Sequence, residues 1–408
     1  MTRFIIIIFT ILTILLAFFL LFSQSNDDQF ELVKSENFAK SINNWQFPTA
    51  KPVIAVENKQ ITWQSTSETN QFNLPDDVLR VIFSKNSNYF GIVRLTKFSE
   101  SGKNNQKLRI EIYSANREKL YELERIHYYD DSFPLTAISD LDGSLIIGQN
   151  TTGELWFYDP NGSLLNKVQL FSDAEYDLER MLYADISKDG TVVAIAAGKR
   201  GASPAGSNAP NPSAEPHLFL FSIKGEKFWE NPLPDFNTSA AVISDKGEYI
   251  AVNSYTIDMG GNITKNAIIF DNTGKEIGHV NILFKQARFS PDSKSLILAD
   301  NNVATVFDLT ADSISWSHRI SKKEGMIAAV DISNKGEIAA LLVAKNEYKE
   351  GGFIFTNPQI KILDSNGKLL QELKMDDQEF EKPSLNLSDD AKNIFIGFKN
   401  AYQIYQAQ

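Results

Sequence analysis

The chain has no cysteine among its 408 residues, which excludes disulfides, thiolate metal centres and lipid attachment through a cysteine. Histidine is almost as scarce. His127, His217, His279 and His318 lie far apart, without the spacing of a metal-ligand set. Positive charge is in deficit too: 40 Lys and Arg face 51 Asp and Glu, for a net charge of −11. A nucleic-acid partner needs a basic footprint, so nucleic acid is not an expected partner. Glycine signatures for phosphate loops and dinucleotide folds are missing. Gly201-Ala202-Ser203-Pro204-Ala205 approaches a nucleophile elbow but has Ala where the last Gly belongs. Asp140-Leu141-Asp142-Gly143 opens like a calcium loop whose later ligands never follow. The chain therefore reads as non-enzymatic, with no cofactor and no metal.

What is present begins at the N-terminus. Phe4 to Phe22 is a run of 19 uncharged residues, long enough at about 1.5 Å per residue to span a bilayer core. Arg3 precedes it, and Asp27, Asp28 and Glu31 follow. That asymmetry predicts a single-pass transmembrane helix, with residues 1–3 cytoplasmic and the rest extracytoplasmic. The competing expectation is a signal sequence cleaved near Ser25, giving a secreted protein. Residues 23–50 are polar and mixed and read as a stalk.

Beyond residue 50 one pattern returns seven times: an apolar run ending in Ser, a polar turn, and a second apolar run. The marker serines are Ser84, Ser139, Ser187, Ser244, Ser290, Ser333 and Ser388, spaced by 43 to 57 residues. Clear copies are AVISDKGEYIAV at 241–252 and ADISKDGTVVAI at 184–195. Short strands repeating at this period predict an all-β, seven-bladed β-propeller of four-stranded antiparallel blades over 51–408. In each blade, strand a ends at the Ser, b follows the turn, and c and d form a hairpin. Asn161-Gly162 and Asn366-Gly367 mark two such hairpins, each after an Asp suited to an Asx turn. The last repeat lacks a strand d, and the segment 59–65 is the expected donor that closes the ring.

The stretch ARFSPDSKSLILADNNVATVFDL at 287–309 resembles a WD40-like repeat, although the Gly-His and Trp-Asp dipeptides of that family are missing. Gly225-Glu226-Lys227-Phe228-Trp229 resembles the Gly-x-x-x-Trp of quinoprotein-like (PQQ-like) bacterial-type propellers, with a weaker echo from Ser313 to Trp316. Both resemblances imply the propeller fold over about residues 52–408. Neither specifies a function, because these folds host adaptors, enzymes and assembly factors alike.

Loop lengths carry the functional expectation. The b–c connections are long at 97–107, 198–216, 254–266 and 344–358 and short elsewhere. Insertions gathered on one face of a repeat protein mark a binding face. The d–a loops of the same face add Tyr128, Tyr129, Asp130 and Asp131, then Asp173, Glu175, Tyr176 and Asp177, and finally Phe380; Lys199 and Arg200 sit in the longest insertion. Aromatics among charges suit a protein interface, and the acids suit a partner with a basic surface. Two residues before the marker Ser, the innermost strands carry Asp185, Arg288, Asp331 and Asn386 as polar candidates for the central channel. An Arg288–Asp331 ion pair is the structural reading of that set, and a channel that binds a ligand is the functional one. The leading expectation is a membrane-anchored scaffold that docks a protein partner; the alternative is a small-ligand binder or quinoprotein-like enzyme working through the channel.

Overall fold

The computed structural model describes residues 29–408 except 39–41, 43, 48–52, 58, 65–67, 101–102, 129–133, 151, 171–179, 200–215, 236, 259–260, 350–351 and 376–377. The apolar run 4–22 lies outside the described residues, and among these no helix is long and apolar enough to cross a membrane.

The ring has eight blades, not seven. Each is an antiparallel sheet of four strands, to which blade 7 adds the short Glu379–Phe380: blade 1 covers 44–73, blade 2 78–128, blade 3 135–169 and blade 4 180–232. Blade 5 covers 241–280, blade 6 286–319 and blade 7 326–374. Blade 8 takes three strands from 384–407 and its outermost strand from Phe30–Asn37. The seven serines missed a blade because Phe47 stands at the marker position of blade 1, directly after the paired residue Gln46. Gln60–Gln64, expected to close the last repeat, is strand c of blade 1. Closure instead uses residues read as stalk. Phe30 pairs with Ala407 and Asn37 with Ala401, and Gln371 of blade 7 holds both backbone groups of Phe30, at 2.7 and 3.0 Å.

The core follows from the blade count. Eight buried clusters fill the eight interfaces between neighbouring blades. Blades 3 and 4, for example, meet through Ile146, Leu155 and Phe157 against Val193, Ile195 and Phe219. A middle strand packed on both faces has no solvent side, so it reads as a continuous apolar run such as Leu341, Leu342 and Val343, all fully buried. Outer strands alternate instead, as in Lys227–Pro232.

The marker serines are structural. The Ser244 hydroxyl accepts the N–H of Tyr249 and that of Ser333 the N–H of Ile338, closing the a–b turn from inside. The c–d turns behave as the sequence suggests: one Asp364 oxygen accepts the N–H groups of Asn366 and Lys368, both at 2.9 Å. Aromatic side chains then lock blade to blade. Trp316 of blade 6 lies on Gly367 of the blade 7 turn, where φ is +75° and a Cβ would sit 2.8 Å from the indole. Trp229, the aromatic of the Gly-x-x-x-Trp match, lies likewise on Gly274 and donates to the Asn272 carbonyl at 2.8 Å.

Candidate functional site

The two ends of the ring differ. At the turn face, where a–b and c–d turns emerge, the innermost strands enclose a cavity of about 450 Å³ on the axis. It gathers all four predicted channel residues, Asp185, Arg288, Asp331 and Asn386, and adds Lys85, Lys188, Asp245 and Asp389. These four additions occupy the position just after a marker Ser. A count at that offset reads Lys85, Asp140, Lys188, Asp245, Pro291, Asn334 and Asp389, a charged rim that sequence reasoning overlooked.

Strand a is the inner edge of each sheet, and its outward N–H groups need acceptors. The channel carboxylates supply them. Asp185 of blade 4 accepts the N–H of Ile243 in blade 5 at 2.9 Å, and Asp331 of blade 7 accepts that of Leu387 in blade 8 at 2.7 Å. Outside the cavity lining, Asp140 of blade 3 takes the N–H of Asn86 in the a–b turn of blade 2 and the hydroxyl of Ser84. Backbone bonds add to the rim, from Asp189 N to Asp245 O at 3.0 Å and Asn334 N to Asp389 O at 3.1 Å. The expected Arg288–Asp331 ion pair does not form: Asp331 bonds to backbone, while the Arg288 side chain is exposed in the channel. Burial pushes the Asp331 carboxyl up, against the opposing field of Arg288 and its two N–H donors. Burial also pushes Asp245 up, opposed by Lys188 at 3.4 Å and by Lys85.

The opposite, hairpin face carries the long b–c connections. Three of the four are not loops but strands continued past the blade. They are Tyr89–Glu100 with Lys103–Ser114 in blade 2, Tyr249–Ile257 with Ile263–Asp271 in blade 5, and Ile338–Lys349 with Gly352–Asp364 in blade 7. Their residues pair beyond the reach of the core, so the sequence shows no buried alternation there and they read as loops. The blade 2 arm ends with Glu100 opposite Lys103, and the other two end in exposed apolar pairs. Ile257 faces Ile263 in blade 5, and Tyr348 packs edge-on against Phe353 at 5.3 Å in blade 7. Tyr348 is 68% and Phe353 64% exposed, an apolar pair left open at the arm tip.

Of the predicted face residues, Tyr128 and Lys199 end strands that point to this face. Tyr129, Asp130, Asp131, Asp173, Glu175, Tyr176, Asp177 and Arg200 lie outside the described residues. Phe380 is not presented there. It is 1% exposed and stacked on Phe355 at 5.0 Å, part of the core between blades 7 and 8. Among the described residues no group of three His, Asp or Glu is arranged to hold a metal ion.

The geometry has clear counterparts among solved structures. The C-terminal WD40 domain of Sif2 superposes with a TM-score of 0.55 at 10% identity, covering 93% of this chain and 98% of that one. The fold is a β-propeller, like that of this WD40 domain. The Dos1 propeller matches with a TM-score of 0.52 at 12% identity, over 92% of this chain and 95% of that one. No protein-family model and no curated protein matches the chain. At such identities the likeness establishes the propeller architecture and leaves function to the site itself.

Proposed function

We propose that the chain is a non-enzymatic protein-interaction scaffold, held at a membrane through the apolar segment 4–22, with its hairpin face as the docking face. The observation that carries this reading is the asymmetry of the ring. Three prolonged arms stand on one face, two of them tipped by exposed apolar pairs, and tight turns cover the other. The direction of the chain fits a tether. Phe30 pairs with Ala407 at the end of strand c, so the polypeptide enters the ring at the turn face. A bilayer anchor just upstream would place the turn face toward the membrane and the arms away from it, on the extracytoplasmic side. Two of the four carboxylates that line the axial cavity, Asp185 and Asp331, already serve backbone N–H groups of neighbouring blades, which supports the scaffold over a ligand-binding or quinoprotein-like channel.

Because the chain has no cysteine, single cysteines test this directly. Full-length protein carrying Asn366→Cys should react with a membrane-impermeant maleimide in intact cells; reaction only after lysis would place the ring in the cytoplasm. A photo-crosslinking residue in place of Tyr348 should capture a defined protein, and one in place of Lys368 on the turn face should not. Equal capture from both faces would overturn the face assignment.

A further inference from the structure

Blade 6 lies between the arms of blades 5 and 7, and its own b–c turn is only Asp300-Asn301-Asn302. The ring is thus notched between two arms. Two cavities of about 590 Å³ each occupy the notch, one against blade 5 and one against blade 7, and Asn302 lines both. Their walls hold four cations, Lys265, Arg319, Lys322 and Lys345, against two carboxylates, Asp300 and Glu347. Both carboxylates are occupied. Asp300 takes Lys265 at 3.4 Å and the N–H groups of Asn302 and Val303, and Glu347 takes Lys349 at 3.3 Å and the Thr356 hydroxyl. Arg319, Lys322 and Lys345 are exposed and form no ion pair among the described residues. A cationic saddle on a chain of net charge −11 is a local reversal of the field that a partner would feel.

We infer that this saddle receives an acidic, extended segment of a partner protein, which lays its carboxylates along Arg319, Lys322 and Lys345 and its apolar side chains toward the arms. The inference rests on the scaffold reading above and names the partner chemistry of the same face. An extended rather than helical segment is favoured by the shape: two cavities that share a single short turn between two raised arms. At the outer rim of the blade 5 arm, Ile263–Asn266 is not covered by strand d and offers backbone groups to a segment leaving the notch.

The test uses the full chain and a fluorescein-labelled peptide of alternating Asp and Val, about 12 residues or roughly 40 Å when extended. Its counterpart has Asn for every Asp. The acidic peptide should bind at least about tenfold more tightly than the neutral one, with affinity falling as salt rises. The double variant Lys322→Glu with Lys345→Glu should weaken binding by about tenfold or more, the loss expected from reversing charges in direct contact. The matched pair Lys224→Glu with Lys368→Glu, on the turn face, should change it less than about twofold. Equal binding of both peptides, or equal loss in both variants, overturns the proposal. So does self-association that Lys322→Glu with Lys345→Glu abolishes, which would assign the saddle to a second copy of the chain. If Tyr348 crosslinks capture a partner while the acidic peptide fails, the scaffold stands and the saddle falls. Peptide binding at the saddle without capture in cells is the reverse case.

Discussion

Lys85 of blade 2 reaches across the channel mouth to Asp185 of blade 4, with 2.9 Å from Nζ to Oδ2, although 100 residues separate them. The same ammonium donates to the Ile243 carbonyl of blade 5 at 3.2 Å, and the same carboxylate oxygen accepts the Ile243 N–H. One ion pair therefore ties three blades. Both side chains are about one-quarter exposed, so water screens much of the attraction. Lys85→Met should cost about 0.5–1 kcal/mol in urea unfolding. Asp185→Ala should cost about 1–3 kcal/mol, because it also orphans a backbone donor on an inner edge. Equal costs would show that the bond to Ile243 contributes nothing.

The closure makes a sharper demand. The strand Phe30–Asn37 covers Ala401–Ala407, which would otherwise be a bare sheet edge. A chain starting at Gln29 should unfold in a single cooperative step, and one starting at Phe38 should aggregate with increasing concentration. Gln371→Ala, which releases both backbone bonds to Phe30, should cost about 1–2 kcal/mol in the otherwise intact chain. A cooperative, monomeric chain from Phe38 onward would refute closure by this strand.

How much of this was legible depends on where each element sits. The fold was readable from strands a and b, because their residues pack on both sides and their turn needs a buried hydroxyl at a fixed place. Blade 1 escaped because Phe47 fills that place with a ring, 8% exposed, stacked on Phe395 of blade 8 at 5.7 Å. The closing strand escaped because outermost strands bury so little: Leu32 and Val33 are half exposed and only Phe30 is in the core. Asp185, Arg288, Asp331 and Asn386 were recognisable as channel residues from their offset to Ser. What they bond to was not, since the acceptor need comes from backbone edges that side-chain chemistry does not reveal.

Gly367 tests the lock between blades. Its φ of +75° favours glycine, and an added Cβ would lie 2.8 Å from the buried Trp316 ring. Gly367→Ala should cost about 1–2 kcal/mol for the left-handed backbone and about 1–3 kcal/mol for overpacking. Tryptophan emission should shift as Trp316 is displaced. Gly352→Ala is the control: nothing lies within 4 Å of its Cβ position, so its effect should stay within about 0.5 kcal/mol. Comparable losses at both sites would show that Trp316 is not docked on the turn.

Two carboxyls should respond to pH in opposite directions. Glu324 is held down to about 2, first by its hydrogen bond from the buried Lys361, which it meets at 2.7 Å, and then by the Ser321 N–H. The ordinary value is 4.5, so its stabilisation is fully present above that pH and lost as pH falls toward about 2. The Glu324 side chain is about one-third exposed, so the contribution is discounted for solvent screening to about 1 kcal/mol or less. Asp331 is raised above 3.8 by burial, so the folded state binds its proton more tightly than the unfolded chain does. Its contribution is fully present below 3.8 and declines as pH rises through the folded value. Unfolding midpoints of wild type, Glu324→Gln and Asp331→Asn across this range give the answer. The gap between wild type and Glu324→Gln should close as the solution is acidified. The gap to Asp331→Asn should widen instead, and two gaps that move together would contradict the buried, N–H-bonded setting of Asp331.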